Sequence, residues 1–279
     1  MYSYHFREWL SFFYFYCIFG WCFESTYVSV KNHKLTNRGF LRGPWLPLYG
    51  SGAILVLWLT LPFQGTPALV YIVGALGATV LEYATGEIMV RFFKVRYWDY
   101  SDQHIQYKGH ICLSSSIAWG FLSLLMVYVV HKPVEQFIFW MHEEVVSVLT
   151  FVITVCIVYD FSNAFRKAMD LRALLIQAEQ IKDELERRAL EKKRLLEATA
   201  AFAKAAVADS IDEKKEKLEE KLETEILQLK ERQEQLKERM IKNAENLLMQ
   251  NPGSRFMTAA ASAAEIRERI QMRKNRKSI

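Results

Sequence analysis

Residues 37–52, Asn-Arg-Gly-Phe-Leu-Arg-Gly-Pro-Trp-Leu-Pro-Leu-Tyr-Gly-Ser-Gly, separate two apolar segments near the start of the chain. They hold four of the twelve glycines and two of the six prolines. Glycine permits positive φ and proline removes a donor, so the composition predicts that no regular helix runs through this stretch. Two interpretations are open. It is a structured loop that folds back against a helical bundle and lines a polar site, or an ordinary interhelical loop.

The chain changes character near Arg166. Residues 1–165 contain every Trp and Tyr, with ten basic and ten acidic residues. Residues 166–279 contain the other 26 basic and 21 acidic residues, so the net charge of +5 belongs to this part. Neither part has the composition of an ordinary soluble globular domain. The sequence predicts a membrane domain over 1–165, followed by a charged cytosolic extension.

Five segments of the first part are apolar enough to cross a bilayer, which needs about 20 residues. They are 9–30, 48–63, 67–91, 111–131 and 145–165. The third contains Gly74 and Gly77 with neighbouring alanines, a small-residue face suited to close helix packing. The expected fold is therefore an all-α, polytopic bundle of five spans.

The basic residues between these segments predict the orientation. Lys and Arg are concentrated in the first and third loops and after the fifth segment, while the second loop has none. Because positive residues mark the cytosolic side, we expect the N-terminus outside and the C-terminus in the cytosol. The expected location is the cell membrane, with several passes and the lipid bilayer as a partner.

The charged part predicts helices over 166–250 and a basic tail over 251–279. A heptad-like register runs through Leu222, Ile226, Leu229, Gln233, Leu236, Met240 and Leu247, and a weaker one runs from Leu174 to Phe202. These registers favour a coiled coil, folded as a hairpin or paired with a second copy in a homo-oligomer. One long solvated helix is the alternative. The tail, ending in Lys274, Arg276 and Lys277, is either a site for anionic lipid headgroups or a solubilising end.

Four acidic residues fall within or beside apolar segments: Glu24, Glu82, Glu87 and Asp160. A charge in hydrocarbon costs several kcal/mol, so such groups face a cavity, a partner or each other. Glu87 and Asp160 are interpreted as reaching the membrane interface. The predicted polar vestibule on the cytosolic side is lined by Glu24, Asn37, Arg38, Arg42, Glu82 and Asp99. Within it, Arg38 or Arg42 is expected to pair with Glu82.

Several separated motifs carry a family resemblance. They are Glu24, the Asn37–Gly50 run, Leu81-Glu82 with Thr85-Gly86, Trp98-Asp-Tyr-Ser101 and Gly109-x-Ile-Cys112. Over about residues 5–165 the chain resembles the bacterial family called putative ABC-transporter type IV, the CmpB-like permeases. The resemblance implies a multi-span protein of the cytoplasmic membrane.

No Gly-x-x-x-x-Gly-Lys-Ser/Thr phosphate loop occurs, so ATP hydrolysis would come from a separate ATPase subunit. Hydrolase, zinc and dinucleotide motifs are also missing, and we expect no enzyme activity, no cofactor, no metal and no specific nucleic acid. The first functional hypothesis is a permease-like subunit of an ABC-type transporter. The second is a membrane-anchored coiled-coil scaffold without transport activity.

Overall fold

The computed structural model describes residues 4–203, 209–251, 254–258 and 262–277. The chain forms two compact units. The first consists of residues 1–169 and 246–255, and the second consists of residues 170–245 and 256–279.

The first unit is a helical bundle. Its helices are α1 (Phe6–Asn32), α2 (Pro47–Thr60), α3 (Pro67–Phe93), α4 (Leu113–Leu125), α5 (His131–Trp140) and the first part of α6 (Glu143–Ala203). A 3-10 turn, Leu61–Phe63, follows α2, and a π-helix, Met126–Val130, joins α4 to α5. Helices α2 and α3 both begin with proline, which has no N–H to leave unpaired and a φ that suits a helix start.

Three helical stretches among the described residues are long and apolar enough to cross a membrane: Pro67–Phe93, Leu113–Trp140 and Glu143–Ala198. They correspond to the last three predicted spans. Helix Pro47–Phe63 is apolar but shorter. Helix α1 has 27 residues but is not among these apolar stretches. The first two of the five spans therefore stay predictions.

Large apolar side chains on these helices are exposed, among them Val80, Phe121 and Phe151. Soluble monomers rarely expose contiguous apolar surface on this scale. Together with the apolar helices, this surface indicates a membrane protein.

The expectation of irregular backbone throughout residues 37–52 was wrong for its last part, because α2 begins at Pro47. Gly50 lies inside this helix. A Cβ at Gly50 would overlap Cys17 Sγ and approach the Phe13 carbonyl oxygen to 2.8 Å, so glycine lets α2 pack closely on α1. The true loop between α1 and α2 covers residues 33–46, and we call it the α1–α2 loop.

The core of the bundle lies between α1, α2, α3 and the π-helix with α5. Its buried members are Phe12, Tyr16, Ala53, Leu57, Val70, Val127, Val134 and Ile138. Helix α3 crosses α4 at Gly74, where a Cβ would overlap the Ser123 side chain. The small-residue face predicted on α3 is thus used for close helix packing.

Residues 94–112 connect α3 to α4, and we call them the α3–α4 loop. They contain three two-residue strands, β1 (Val95–Arg96), β2 (Gln106–Tyr107) and β3 (Ile111–Cys112). Strands β2 and β3 form an antiparallel hairpin that pairs Gln106 with Cys112 and Tyr107 with Ile111. A fourth short strand, β4, is Arg255–Phe256. The fold is otherwise helical, as predicted.

The second unit contains the rest of α6, most of α7 (Asp209–Gln250) and α8 (Ala263–Lys277). Arg188 of α6 pairs with Glu225 of α7 at 3.4 Å, and Lys192 pairs with Glu223, so the two helices contact each other within one chain.

The predicted α7 register points inward. Leu222, Leu236 and Met240 are buried, and Ile226 and Leu229 are half-buried. A coiled coil and self-association stay predictions. Two arginines of the basic tail pair within the second unit, Arg269 with Glu234 and Arg273 with Glu238. The predictions for Pro252, Gly253 and the side chains of Phe202, Lys274, Arg276 and Lys277 lie outside the described residues.

Candidate functional site

Glu24 on α1 holds the α1–α2 loop against the bundle. Its carboxylate accepts a hydrogen bond from Arg38 Nε at 3.4 Å and from the Tyr49 hydroxyl at 2.6 Å. The Arg38 backbone N–H donates to Ser25 on α1 at 3.1 Å. Arg38 is therefore paired with Glu24, and the expected pair between Arg38 and Glu82 does not form.

Asn37 organises the same loop from within. Its Oδ1 accepts from Trp21 Nε1 at 2.6 Å, and its Nδ2 donates to the Arg42 carbonyl at 2.6 Å. The Arg42 side chain is exposed, so Arg42 contributes its backbone to the structure and does not pair with Glu82. Of the two arginines proposed for the vestibule, only Arg38 meets an acidic partner there.

Asp160 on α6 is the second attachment point of the loop. Its Oδ2 accepts hydrogen bonds from the backbone N–H groups of Arg42 and Gly43, at 3.0 and 2.7 Å, and from Trp45 Nε1 at 2.9 Å. The interpretation of Asp160 as a side chain that merely reaches the interface was therefore wrong. Its position late in the fifth apolar segment was the only signal for this role.

Glu82 on α3 is buried, with 7% of its surface exposed. Its Oε1 accepts from the Tyr100 hydroxyl at 3.0 Å, and its Oε2 accepts from Ser115 Oγ at 3.2 Å and Trp119 Nε1 at 2.9 Å. All three donors are neutral. A buried carboxylate must be paired or hydrogen-bonded, and here neutral donors from the α3–α4 loop and α4 supply the contacts expected from an arginine.

Asp99 on the α3–α4 loop is enclosed by donors, and its side chain is 6% exposed. Oδ1 accepts from Arg96 Nη1 at 2.8 Å and from the Ser101 backbone N–H at 3.0 Å, and Oδ2 pairs with Arg255 Nη1 at 2.8 Å. Burial by itself raises the pKa of Asp99, but the hydrogen bonds from Ser101 and Arg96 outweigh it and leave the pKa below its ordinary value. Asp99 is therefore ionised at neutral pH.

Trp98 and Tyr100, the aromatic residues of the Trp98–Ser101 motif, form hydrogen bonds within the α3–α4 loop. Trp98 Nε1 donates to the His110 carbonyl at 2.9 Å, and the Tyr100 N–H donates to the Gly109 carbonyl at 3.0 Å. Burial raises the pKa of Tyr100, and the negative charges of Glu82 and Glu24 raise it further. Tyr100 thus lies within electrostatic range of the buried Glu82 and of Glu24, which is half-buried.

Glu87, also expected to reach the interface, lies 3.4 Å from Nε2 of the buried His110, and its own side chain is 41% exposed. Burial and the positive charge of Arg96 lower the pKa of His110, against the opposing effect of Glu87. His110 is therefore neutral at neutral pH.

The six candidate residues fall into neighbouring groups rather than one ring. Glu24, Arg38 and Asn37 lie where the α1–α2 loop meets α1, while Glu82 and Asp99 lie around the α3–α4 loop. Arg42 joins the first group only through its backbone carbonyl, and its side chain is exposed. The donors around Glu82 were not proposed as site residues, although Tyr100 and Ser115 belong to stretches that stand out in the sequence. Within the described part of the chain, no group of three or more His, Cys, Asp or Glu is placed to hold a metal ion.

The sequence model of one protein family, described as "Putative ABC-transporter type IV", matches residues 11–165 of this chain. These residues include all six candidate residues. No curated protein and no solved structure matches the chain.

Proposed function

The chain belongs to the family described as "Putative ABC-transporter type IV", and from that membership we propose that it is a permease-like subunit whose ATPase is a separate chain. The family match covers more than half of the sequence, and the part of the chain that the structure describes has three helices suited to a bilayer. The sequence given contains no phosphate-binding loop, and the proposal therefore assigns ATP hydrolysis to a second polypeptide.

The observation that carries the proposal is the environment of Glu82. A carboxylate in the middle of an apolar helix is expensive and usually marks a functional position. In this chain it is surrounded by three neutral donors, and Tyr100 connects it electrostatically with Glu24. We interpret these side chains as the polar lining of a transport site whose substrate has groups that bind carboxylates and hydroxyls.

The proposal includes five spans, an outside N-terminus and a cytosolic C-terminus in the cell membrane. This orientation follows from the distribution of Lys and Arg and places both loops of the site in the cytosol. A five-span protein is small for a complete pathway, and we therefore include a homo-oligomer in the proposal. Its assembly through α6 and α7 rests on their heptad-like registers.

The test is purification of the tagged full-length protein from its native membrane in a mild detergent. We expect an ATPase subunit to co-purify, identified by mass spectrometry and by ATP hydrolysis in the eluate. Glu82→Gln should retain the partner but uncouple hydrolysis from substrate. Chemical cross-linking before solubilisation guards against loss of a weak partner. If no ATPase is recovered with cross-linking, the permease proposal is wrong and the scaffold hypothesis replaces it.

A further inference from the structure

A short segment that starts at the last residue of α7 binds both loops of the candidate site. We call it the docking segment and define it by its described residues, Gln250, Asn251, Ser254 and Arg255. All four belong to the first unit, whereas the chain on either side, up to residue 245 and from residue 256, belongs to the second.

The first half of the docking segment contacts the α1–α2 loop. Arg38 Nη1 donates to the Gln250 carbonyl at 3.2 Å, and Asn251 Nδ2 donates to the Gly39 carbonyl at 3.1 Å. Asn251 is only 3% exposed, and its carbonyl accepts from the hydroxyl of the buried Ser254 at 2.7 Å. The hydrogen bond from the buried Asn251 amide to the loop carbonyl is a specific contact. If this bond were broken, buried polar groups would be left without a partner.

The second half contacts the α3–α4 loop. Arg255 Nη1 lies 2.8 Å from Asp99 Oδ2, and Nη2 lies 3.6 Å from Asp102 Oδ2. Asp99 is already bound through Oδ1 to Arg96 and Ser101. Arg255 therefore supplies the charged partner of the remaining oxygen of a buried carboxylate.

We propose that the docking segment is an intramolecular lock on the candidate site. It occupies Arg38 and Asp99, on two different loops, and ties these loops together. When it is released, the Asp99 carboxylate becomes available to another cationic group, and Arg38 is freed of its contact with Gln250. Because the second unit ends at residue 245, with four residues between it and the docking segment, and resumes at residue 256, a rearrangement there acts on the docking segment through the backbone. The second unit thereby regulates the loops, whether or not the protein is a permease.

The test compares amide hydrogen exchange of the full-length protein in lipid nanodiscs with that of Arg255→Gln. The control is Arg273→Gln, which removes an equally exposed arginine from an ion pair, with 50% of the Arg273 side chain exposed against 57% for Arg255. We expect exchange in both loops, residues 36–46 and 97–109, to rise about two- to fivefold in Arg255→Gln, as loss of one partly exposed ion pair allows. Arg255→Lys should restore part of the protection.

A second measurement repeats the hydrogen exchange at high salt, since salt screens exposed charges. High salt should increase exchange in both loops of the wild-type protein and add little in Arg255→Gln. The proposal is overturned by unchanged exchange in both loops, by a rise confined to one loop, or by an equal rise in Arg273→Gln. A rise that extends through α1–α5 would also overturn it, because it would report global loosening.

Discussion

Trp119 on α4 donates its indole N–H to the Glu82 carboxylate on α3 at 2.9 Å, and this contact joins two helices through a buried charge. Ser115, one turn earlier on α4, donates to the same oxygen. The α3–α4 contact therefore depends on a carboxylate as well as on the close approach at Gly74.

Replacement of Glu82 should separate its structural and functional roles. Glu82→Ala removes the acceptor of three half-buried donors, of which Ser115 Oγ keeps the Cys112 carbonyl as a second acceptor, and we expect a loss of about 2–3 kcal/mol in stability. Glu82→Gln keeps an oxygen for Trp119 and Ser115, so it should fold but lose function. Thermal unfolding in detergent and a transport or coupled-ATPase assay measure the two effects.

The control for these variants is Glu144→Gln, on an exposed position of α6. Glu135, a more obvious choice from the sequence, accepts a hydrogen bond from Tyr4 at 2.6 Å and is unsuitable. Equal melting temperatures for Glu82→Ala and Glu144→Gln would contradict the structural role of Glu82.

Asp160→Ala should detach the α1–α2 loop from α6. The change removes the acceptor of three donors, two of them backbone N–H groups, so we expect a cost of about 2–4 kcal/mol. Faster hydrogen exchange at residues 40–46 is the measurement. Asp170→Ala, at an exposed position of the same helix, should leave that exchange unchanged.

Stability should fall as the pH drops below about 6.5, because of His110. Burial first, and then Arg96 and Lys108, lower its pKa from the ordinary histidine value of about 6.5, while Glu87 opposes the shift. Between the lowered folded pKa and 6.5 the unfolded chain binds a proton that the folded chain does not, so acidification favours unfolding. Tyr83 also faces the imidazole ring.

The measurement is the melting temperature of wild type and His110→Gln between pH 5 and 7.5, a range that brackets the ordinary pKa of histidine of about 6.5. The wild-type curve should slope downward at the acid end and the variant curve should be flatter. Parallel curves would assign the acid sensitivity to other groups.

The predicted orientation is tested by single cysteines in a cysteine-free background. A cysteine at Thr66 should react with a membrane-impermeant reagent in intact cells, and one at Ser210 should react only after permeabilisation. This expectation rests on the distribution of Lys and Arg. The opposite pattern would invert the topology and move both loops of the candidate site to the outer side.

The sequence predicted most accurately the bounds of a long apolar helix, because the thickness of a bilayer sets the length of such a segment. Helix α3 was expected at 67–91 and is Pro67–Phe93. The second apolar segment was expected from 48, one residue after the observed start of α2 at Pro47, although glycine and proline had been interpreted as breaking any helix within 37–52. Pro47 instead occupies the first turn, and Gly50 is required by its contact with α1, which only tertiary structure reveals.

The sequence identified Glu82 as an acid that needs partners but did not identify Asp160 as one. Glu82 was correctly selected as a carboxylate that must be satisfied, but its partners were sought among arginines, because opposite charge is the most visible signal in a sequence. Tyr100, Ser115 and Trp119 satisfy it instead, and their convergence depends on the fold of the α3–α4 loop. The α1–α2 loop and Asp160 are far apart in the sequence. Their contact therefore produced no local sequence pattern from which it could be predicted.

The contacts of Asp160 also have an evolutionary consequence. The carboxylate binds the backbone N–H groups of residues 42 and 43, and these exist whatever residue other than proline stands at position 42. Arg42 is thus free to vary among relatives without loss of the attachment. Trp45 binds through its side chain, so substitutions at positions 45 and 160 are expected to occur together.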